Sequence, residues 1–156
     1  MIKKPKPTAL AKAVELLARQ DQSTQTLRRK LLERGYDEAE VEAAIVRLTE
    51  KKYLNDAETC AYQFETLYGE ENLSVRQICA KLIQRGFDAE TVRNLVPADT
   101  YEHELHAAAK AVEKKFSDKI PDAKTKNKIW QYLASRGFDG EIIRAAAEDF
   151  LNGDRD

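Results

Sequence analysis

Hydrophobic residues follow a pattern that recurs three times along the chain. In three segments a pair of apolar residues lies four positions apart: Leu27 and Leu31, Ile78 and Leu82, and Ile129 and Leu133. This spacing places both members of a pair on one face of a helix. An arginine and a glycine follow each pair, and the glycines Gly35, Gly86 and Gly137 recur at intervals of 51 residues. A fixed period of this length indicates a tandem structural repeat.

Polar residues mark the predicted start of the helix that carries each apolar pair. Ser23, Ser74 and Thr125 are predicted to cap it, because a hydroxyl can accept a hydrogen bond from an unpaired amide in the first turn. Gln77 is predicted to complete a capping box with Ser74. The helix is predicted to end at the glycine, which adopts the left-handed conformation most easily.

A second helix is predicted after each glycine turn. Its caps are Asp37, Asp88 and Asp139, and Glu40 is predicted to form a capping box with Asp37. An aromatic residue directly after each glycine is expected to pack back into the core, and the three are Tyr36, Phe87 and Phe138.

A further amphipathic helix precedes each pair of helices. The three are predicted at Thr8 to Arg19, Asp56 to Tyr68, and Tyr101 to Phe116. The buried stripe predicted for the first consists of Leu10, Ala13, Val14 and Leu17. Because no alternating apolar and polar run typical of a strand occurs, each repeat is predicted to be a three-helix bundle.

The predicted fold is therefore all-α, with nine helices in three tandem three-helix repeats that form an elongated, curved, solenoid-like rod. The repeats are expected at residues 1–52, which include a short basic N-terminal tail, 53–99 and 100–151, with an acidic C-terminal tail at 152–156. We expect the small bundles to need one another's surfaces to complete a core.

Residue types that carry catalysis or bind metals occur without a matching spacing. His103 and His106 lie three positions apart but lack a third ligand, so they are interpreted as exposed helix histidines. Cys60 and Cys79 do not form a CxxC motif and are expected to pack in the core, as is Trp130. We expect no enzyme activity, no cofactor and no metal site.

Composition favours a cytoplasmic globular protein. The chain has 156 residues, of which 42% are hydrophobic and 34% charged. No apolar run approaches the roughly 20 residues of a membrane span, and the first residues lack the apolar core of a secretory signal. We expect a monomer that makes no contact with membranes.

The net charge of −1 conceals an uneven distribution of charge. Residues 1–52 carry +4, residues 53–100 carry −4 and residues 101–156 carry −1, with a lysine-rich stretch at 110–128. Basic residues also follow the repeat: Lys30 and Arg34, then Lys81 and Arg85, lie one helical turn apart, and Tyr132 and Arg136 hold these positions in the third copy. Regular stacking would join them into a ridge of cations. Alternatively, each arginine only offsets the dipole at the end of its helix.

Several motifs resemble the RecX family of bacterial recombination regulators. They are the segment LLARQDQSTQTLRRKLLERGYD from Leu16, the junction Tyr53-Leu54-Asn55-Asp56, and the copy that contains Lys81-Leu82 and Arg85-Gly86. Their order and spacing extend the resemblance over residues 8–150. It implies a non-enzymatic modulator that binds the RecA recombinase and its nucleoprotein filament and inhibits strand exchange, ATP hydrolysis and co-protease activity.

The hypothesis that follows is an interaction protein with a cationic binding face. The candidate residues of that face are Arg28, Arg29, Lys30, Arg34, Lys81, Arg85, Lys124, Lys126, Lys128 and Arg136. Because the chain is mildly acidic, we expect weak DNA binding on its own, with most of the contact made to RecA. The alternative is a helix-turn-helix DNA-binding regulator, since a short glycine turn joins the last two helices of each repeat.

Overall fold

Nine α-helices make up the part of the chain that the computed structural model describes, residues 5–153. They are α1 (Ala9–Arg19), α2 (Thr24–Glu33), α3 (Glu38–Glu50), α4 (Asp56–Glu70), α5 (Val75–Gln84), α6 (Ala89–Asn94), α7 (Tyr101–Phe116), α8 (Ala123–Ser135) and α9 (Gly140–Asn152). No strand occurs within that range, so the all-α prediction is confirmed. The first four residues of the basic tail and residues 154–156 of the acidic tail lie outside it.

The helices pack in consecutive threes, which we call bundle 1 (α1–α3), bundle 2 (α4–α6) and bundle 3 (α7–α9). The turn between the last two helices of each bundle is made by Gly35, Gly86 or Gly137, at φ of 85°, 95° and 86°. These left-handed glycines confirm the turn that the repeat predicts.

Each bundle has a hydrophobic core of its own. The pairs Leu27 and Leu31, Ile78 and Leu82, and Ile129 and Leu133 are completely buried, each in a separate cluster of apolar side chains. The expectation that the bundles share a core is therefore wrong. Burying a leucine or isoleucine contributes about 1.5–3 kcal/mol, so even a small bundle holds its helices together by its own apolar contacts.

The aromatic residues after the glycines lie in these cores, as predicted, because Tyr36, Phe87 and Phe138 are all less than 9% exposed. Trp130 is partly buried and packs against the core of bundle 3. The accessible surface of the protein is 10565 Å². A compact protein of 17.7 kDa would expose only about 8,000 Å², so the bundles form an elongated molecule.

The first helix turns a slightly different face to the core from the one predicted. Ala9, Ala13 and Leu16 are buried, whereas Val14 is 51% exposed. Because residue 14 lies about 100° around the helix from residue 13, it falls at the edge of the apolar face.

The predicted serine caps are correct. Ser23 accepts a hydrogen bond from the Thr26 amide and Ser74 accepts one from the Gln77 amide, both at 3.1 Å, and Gln77 completes its capping box. Thr125 is not a cap. Helix α8 begins at Ala123, and Asp122 Oδ1 accepts the Thr125 amide at 2.8 Å. This hydrogen bond lowers the pKa of Asp122 below its ordinary value.

The caps of the third helices differ from one another. Asp88 Oδ2 accepts the Thr91 amide at 3.1 Å, but Asp37 and Asp139 occupy the cap position without a side-chain cap bond. The predicted capping box of Asp37 with Glu40 is wrong, because Glu40 Oε1 accepts the amide of Ala9, at the start of α1, at 2.9 Å. Glu40 thus joins α3 to α1 within bundle 1.

Candidate interaction surface at the bundle junctions

The second helices of the three bundles meet end to end. The Ser23 hydroxyl donates to the carbonyl oxygen of Arg85 at 2.6 Å, and the Ser74 hydroxyl donates to that of Arg136 at 2.5 Å. The end of α5 therefore contacts the start of α2, and the end of α8 contacts the start of α5. Because the negative end of one helix dipole meets the positive end of the next, the arrangement is electrostatically favourable.

The chemistry of this contact explains why the caps are serines. Each hydroxyl oxygen accepts an amide of its own helix while its proton goes to a carbonyl of the following bundle. An ionised aspartate could cap the helix equally well but has no proton to donate. The helix at the end of the row, α8, is capped by Asp122, and no bundle follows it in the described part of the chain.

The glycine turns lie close against the preceding bundle. A Cβ at Gly86 would lie 2.6 Å from Ser23 Oγ, and one at Gly137 would lie 2.9 Å from Arg76 Cβ. At Gly35, in the first of the three described bundles, the nearest atom is Lys6 Nζ at 3.5 Å. Two of the glycines are thus needed for close approach as well as for their backbone conformation.

The junction of bundles 1 and 2 is completed by Asp56. Its Oδ1 atom accepts both the amide and the hydroxyl of Thr24 at 2.9 Å. Asn55 caps α4 by accepting the Glu58 amide at 3.2 Å. Asp56 therefore connects two bundles, a role that its position after the cap did not reveal.

The junction of bundles 2 and 3 is completed by α7. Glu104 Oε1 accepts the Val75 amide at 2.8 Å, in the way that Asp56 accepts Thr24. The ring of His103 stacks on Tyr68 with centroids 3.9 Å apart, and burial together with Glu104 raises the pKa of the Tyr68 hydroxyl. His103 is only 6% exposed, so its interpretation as an exposed histidine is wrong.

His106 is exposed, as predicted, and its Nδ1 atom lies 3.1 Å from Glu71 Oε2 in bundle 2. Both histidines thus contact bundle 2 from α7. No cluster of three or more potential metal ligands occurs within residues 5–153.

Burial raises the pKa of both cysteine thiols, Cys60 and Cys79, which keeps them protonated near neutral pH. Cys60 is fully buried and Cys79 is partly buried against the core of bundle 2.

None of the nine helices in the described part of the chain is both long and apolar enough to cross a bilayer.

The three repeat-related arginines lie at the C-terminal ends of the second helices, and each guanidinium has a different environment. Arg34 Nη1 donates to the Lys30 carbonyl at 3.0 Å, as expected for a cation that offsets the dipole at a helix end. Arg85 Nη1 donates to Gln63 Oε1 at 2.8 Å, and Arg136 lies over the Tyr132 ring, 4.5 Å from its centroid. Helix α5 separates Arg85 from Arg136 by roughly 15 Å, at a rise of 1.5 Å per residue.

The basic residues earlier in α2 are partly neutralised. Arg28 pairs with Glu42 of α3, and Arg29 pairs with Glu33 one turn further along α2. The pairing of Arg28 supplies a structural reason for a charge where the other repeats have Cys79 and Trp130. Lys30 and Lys81 make no side-chain hydrogen bond or ion pair within the described chain.

The lysines of α8 do not share one face. Lys124 and Lys128 lie about 40° apart around the helix, whereas Lys126 lies about 160° from both. The row of every fourth residue from Lys124 through Lys128 and Tyr132 to Arg136 turns by about 120° around the helix. Lys124 is about 18 Å along the helix axis from Arg136. This row is a separate arm of the candidate surface.

Two cations near Arg136 are absent from the sequence-based selection. Lys115 Nζ lies over the Tyr132 ring, 4.2 Å from its centroid, and Lys110 Nζ donates to the carbonyl of Glu70 at 3.0 Å. The third repeat has a tyrosine at position 132 where the others have a lysine, and Lys115 supplies a cation there from α7. The lysine-rich stretch at 110–128, together with the tyrosine at position 132, was the available signal.

Comparison with known proteins agrees with the repeat architecture. The family model described as the first three-helix domain of RecX matches residues 9–48, and the model of the third three-helix domain matches residues 102–146. The matches fall on bundles 1 and 3.

Curated relatives extend over nearly the whole chain. The regulatory protein RecX of Neisseria meningitidis serogroup C is 33% identical over 144 residues, which cover 92% of this chain and 91% of the relative. That of Chromobacterium violaceum is 31% identical and covers 86% of this chain and 85% of the relative.

The fold is also that of a known structure. The crystal structure of RecX from Lactobacillus salivarius superposes with a TM-score of 0.73 at 19% sequence identity, over 92% of this chain and 94% of that one. Two family models match bundles 1 and 3, and a curated relative is 33% identical over 92% of the chain. The chain therefore belongs to the RecX family of regulatory proteins.

Proposed function

We propose that this protein binds the RecA recombinase and its nucleoprotein filament and inhibits the ATPase, strand-exchange and co-protease activities of that filament. In this proposal the protein acts as a cytoplasmic monomer and catalyses no reaction itself. Family membership supports a regulatory role, and the resemblance of the motifs to the RecX family supports RecA as the target.

The observation that carries the proposal is the position of Arg85 and Arg136 at successive junctions. The backbone of each is held by a serine of the preceding bundle, while the guanidinium carries no carboxylate partner among residues 5–153. A row with two cations roughly 15 Å apart on an elongated protein suits a filament, because a filament repeats the same groups along its axis. Lys81 extends this row one turn before Arg85.

The other cationic residues contribute unequally to this model. Lys30, Lys124 and Lys128 carry unpaired charges and are proposed to contact the filament. Arg28, Arg29 and Arg34 are engaged within bundle 1, and Lys126 lies on another face, so we propose that these four contribute little.

The test is inhibition of the ATPase of a RecA filament on single-stranded DNA. The wild-type protein is expected to inhibit at stoichiometric concentrations and to sediment with filaments. Lys81→Gln/Arg85→Gln should raise the half-inhibiting concentration at least tenfold. The control Lys51→Gln/Arg93→Gln, which removes the same charges from exposed positions elsewhere, should stay within twofold of wild type.

An unchanged ATPase together with no co-sedimentation of the wild-type protein would overturn the proposal. The helix-turn-helix alternative is less well supported, because α6 has only six residues, fewer than two turns. Sequence-specific binding to a DNA duplex that persists at moderate salt would favour it.

A further inference from the structure

The arginines at the ends of the second helices have nearly the same backbone conformation. Arg34, Arg85 and Arg136 have φ of −83°, −74° and −92°, and ψ of 4°, 0° and 3°. Their side chains nevertheless contact different groups: a backbone carbonyl, a glutamine and a tyrosine ring. Because the backbone conformation is shared, the neighbouring side chains decide where each guanidinium lies.

The neighbour of Arg85 is Gln63, which reaches it from the first helix of the same bundle. Gln63 Oε1 accepts a hydrogen bond from Arg85 Nη1 at 2.8 Å, and the glutamine is partly buried whereas the arginine is exposed. An amide oxygen accepts one guanidinium N–H group without cancelling the charge, so the remaining donors stay free for a partner. Gln63 therefore positions Arg85 without neutralising it.

The equivalent residue of bundle 1 is Lys12, which lies 51 residues before Gln63. Both side chains are partly buried, and both residues directly precede a buried core residue of the first helix. An ammonium group cannot accept a hydrogen bond, and its charge repels a guanidinium. Lys12 pairs with Glu15 at 3.3 Å instead. It thus offers Arg34 no acceptor, which explains why that side chain folds back onto a carbonyl of its own helix.

The equivalent residue of bundle 3 is Ala111. It directly precedes a buried core residue of α7 and lines one cavity with Tyr132 and Arg136. Because an alanine has no polar side-chain atom, Arg136 contacts the Tyr132 ring instead, with its Cζ atom 4.5 Å from the ring centroid. The same position of the first helix thus holds a cation, an acceptor or no polar group, and the arginine beside it differs accordingly.

We infer that the residue at this position, Lys12, Gln63 or Ala111, decides whether the arginine of its bundle is presented to the filament, with Gln63 as the positioning residue of Arg85. A side chain that is already oriented loses less conformational freedom when it binds. The inference rests on the filament binding proposed above and adds the reason why Arg34 contributes little to it.

The first test removes the acceptor from bundle 2. Gln63→Met keeps the length of the side chain but has only a weak sulfur acceptor, so it should raise the half-inhibiting concentration in the filament ATPase assay about fivefold. In an Arg85→Gln background the same substitution should act within twofold, because no guanidinium is left to position. The matched control Gln131→Met, at an exposed position of α8, should stay within twofold of wild type.

The second test adds the acceptor to bundle 1. Lys12→Gln should lower the half-inhibiting concentration about threefold although it removes a cation, because Arg34 gains the acceptor that Arg85 already has. Lys12→Met removes the same charge without supplying an acceptor and should bring no gain. Lys12→Gln/Arg34→Gln should lose the gain, whereas a general effect of position 12 on bundle 1 would persist.

Inhibition by the wild-type protein is measured first, so the two proposals fail in different ways. No inhibition by wild type overturns the proposed function and the inference with it. Inhibition that is weakened by Arg85→Gln but not by Gln63→Met overturns the inference alone. An equal effect of Gln63→Met with and without Arg85 also overturns it, since a purely structural role would act in both backgrounds. So does Lys12→Gln that inhibits no better than Lys12→Met.

Discussion

The two junctions between bundles share a serine hydrogen bond, a close glycine turn and a carboxylate that accepts a first-turn amide, and they differ in the contacts that support these. At both, a serine that caps a second helix donates to the last carbonyl of the next second helix. At the first junction Thr26 donates to the same carbonyl of Arg85 at 2.7 Å, whereas the Arg136 carbonyl receives only the Ser74 hydroxyl among the described residues. The second junction adds contacts from α7 that the first lacks, including the Tyr68 and His103 stack.

This difference teaches that the 51-residue period specifies where the bundles touch but not how firmly each contact is supported. The shared serine and glycine positions follow the period. The supporting residues Asp56 and Glu104 do similar work from positions that the period does not relate. Substitutions at equivalent positions of the two junctions should therefore lower the free energy of unfolding by different amounts. Each difference measures how much the other contacts of that junction contribute to stability.

The largest effect is expected at the glycine turns. Gly35→Ala should lower the free energy of unfolding by about 1–2 kcal/mol, the cost of a left-handed conformation in a residue with a Cβ. Gly86→Ala carries the same cost and also places a Cβ 2.6 Å from Ser23 Oγ, so it should lose at least about 1 kcal/mol more. Urea unfolding followed by circular dichroism measures both, and equal losses would contradict the close contact at the junction.

The next effect compares the two serines. Ser23→Ala and Ser74→Ala should each cost about 1 kcal/mol through loss of a helix cap. Ser74→Ala should cost about 1 kcal/mol more than Ser23→Ala, because Thr26 still satisfies the Arg85 carbonyl while the Arg136 carbonyl loses its donor.

Ser74→Asp separates the two roles of the hydroxyl. It keeps a cap acceptor but has no proton for the Arg136 carbonyl, so its stability should stay well below that of wild type. Recovery of full stability in urea unfolding would show that capping alone matters.

A smaller effect is expected at the carboxylates that support each junction. Glu104→Ala removes the acceptor of the Val75 amide and a favourable charge at the start of α5, and should cost about 1 kcal/mol. Glu104→Gln keeps an acceptor and should cost less than half as much. A loss for glutamine equal to that for alanine, in the same unfolding assay, would point to the charge as the whole contribution.

The smallest effect is expected for the pH dependence of stability, through Asp122 at the start of α8. The pKa of Asp122 is lowered by its hydrogen bond from the Thr125 amide, so its contribution to stability is fully present above the ordinary value of 3.8. It is lost as pH falls through the lower value in the folded protein. Thermal midpoints of wild type should therefore fall more between pH 5 and about pH 2.5 than those of Asp122→Asn. Equal falls in the thermal midpoints of the two proteins over this pH range would argue against a stabilising cap by the Asp122 carboxylate.

Much of the fold could be predicted because the determinants are local. The glycine turns, the serine caps and the apolar pairs act within a few residues of one another, and their period made them visible. Val14 and Thr125 were predicted wrongly because small rotations or extensions of a helix change which residue faces the core or begins the helix.

The junctions could not be predicted in the same way, because they join residues that are 62 positions apart, such as Ser23 and Arg85. Asp56 looked like a helix residue next to its cap, and Glu40 looked like part of a capping box, since local rules assign acids near a helix start to that helix. In the structure both carboxylates accept amides of other helices. The clustering of Lys110, Lys115 and Arg136 likewise depends on how α7 packs on α8.

The end-to-end contact of the second helices is heterologous, with a hydroxyl donor on one side and a carbonyl acceptor on the other. Such a contact between separate molecules would propagate without limit into fibres. In residues 5–153, both ends of the row of second helices have another partner. Lys6 Nζ donates to the carbonyl of Arg34 at 2.7 Å, where a further serine would bind, and at the other end the extra turn of α8 replaces a donor hydroxyl with Asp122. Within the described residues, a lysine therefore occupies the acceptor at one end of the row of second helices, and an aspartate replaces the donor at the other.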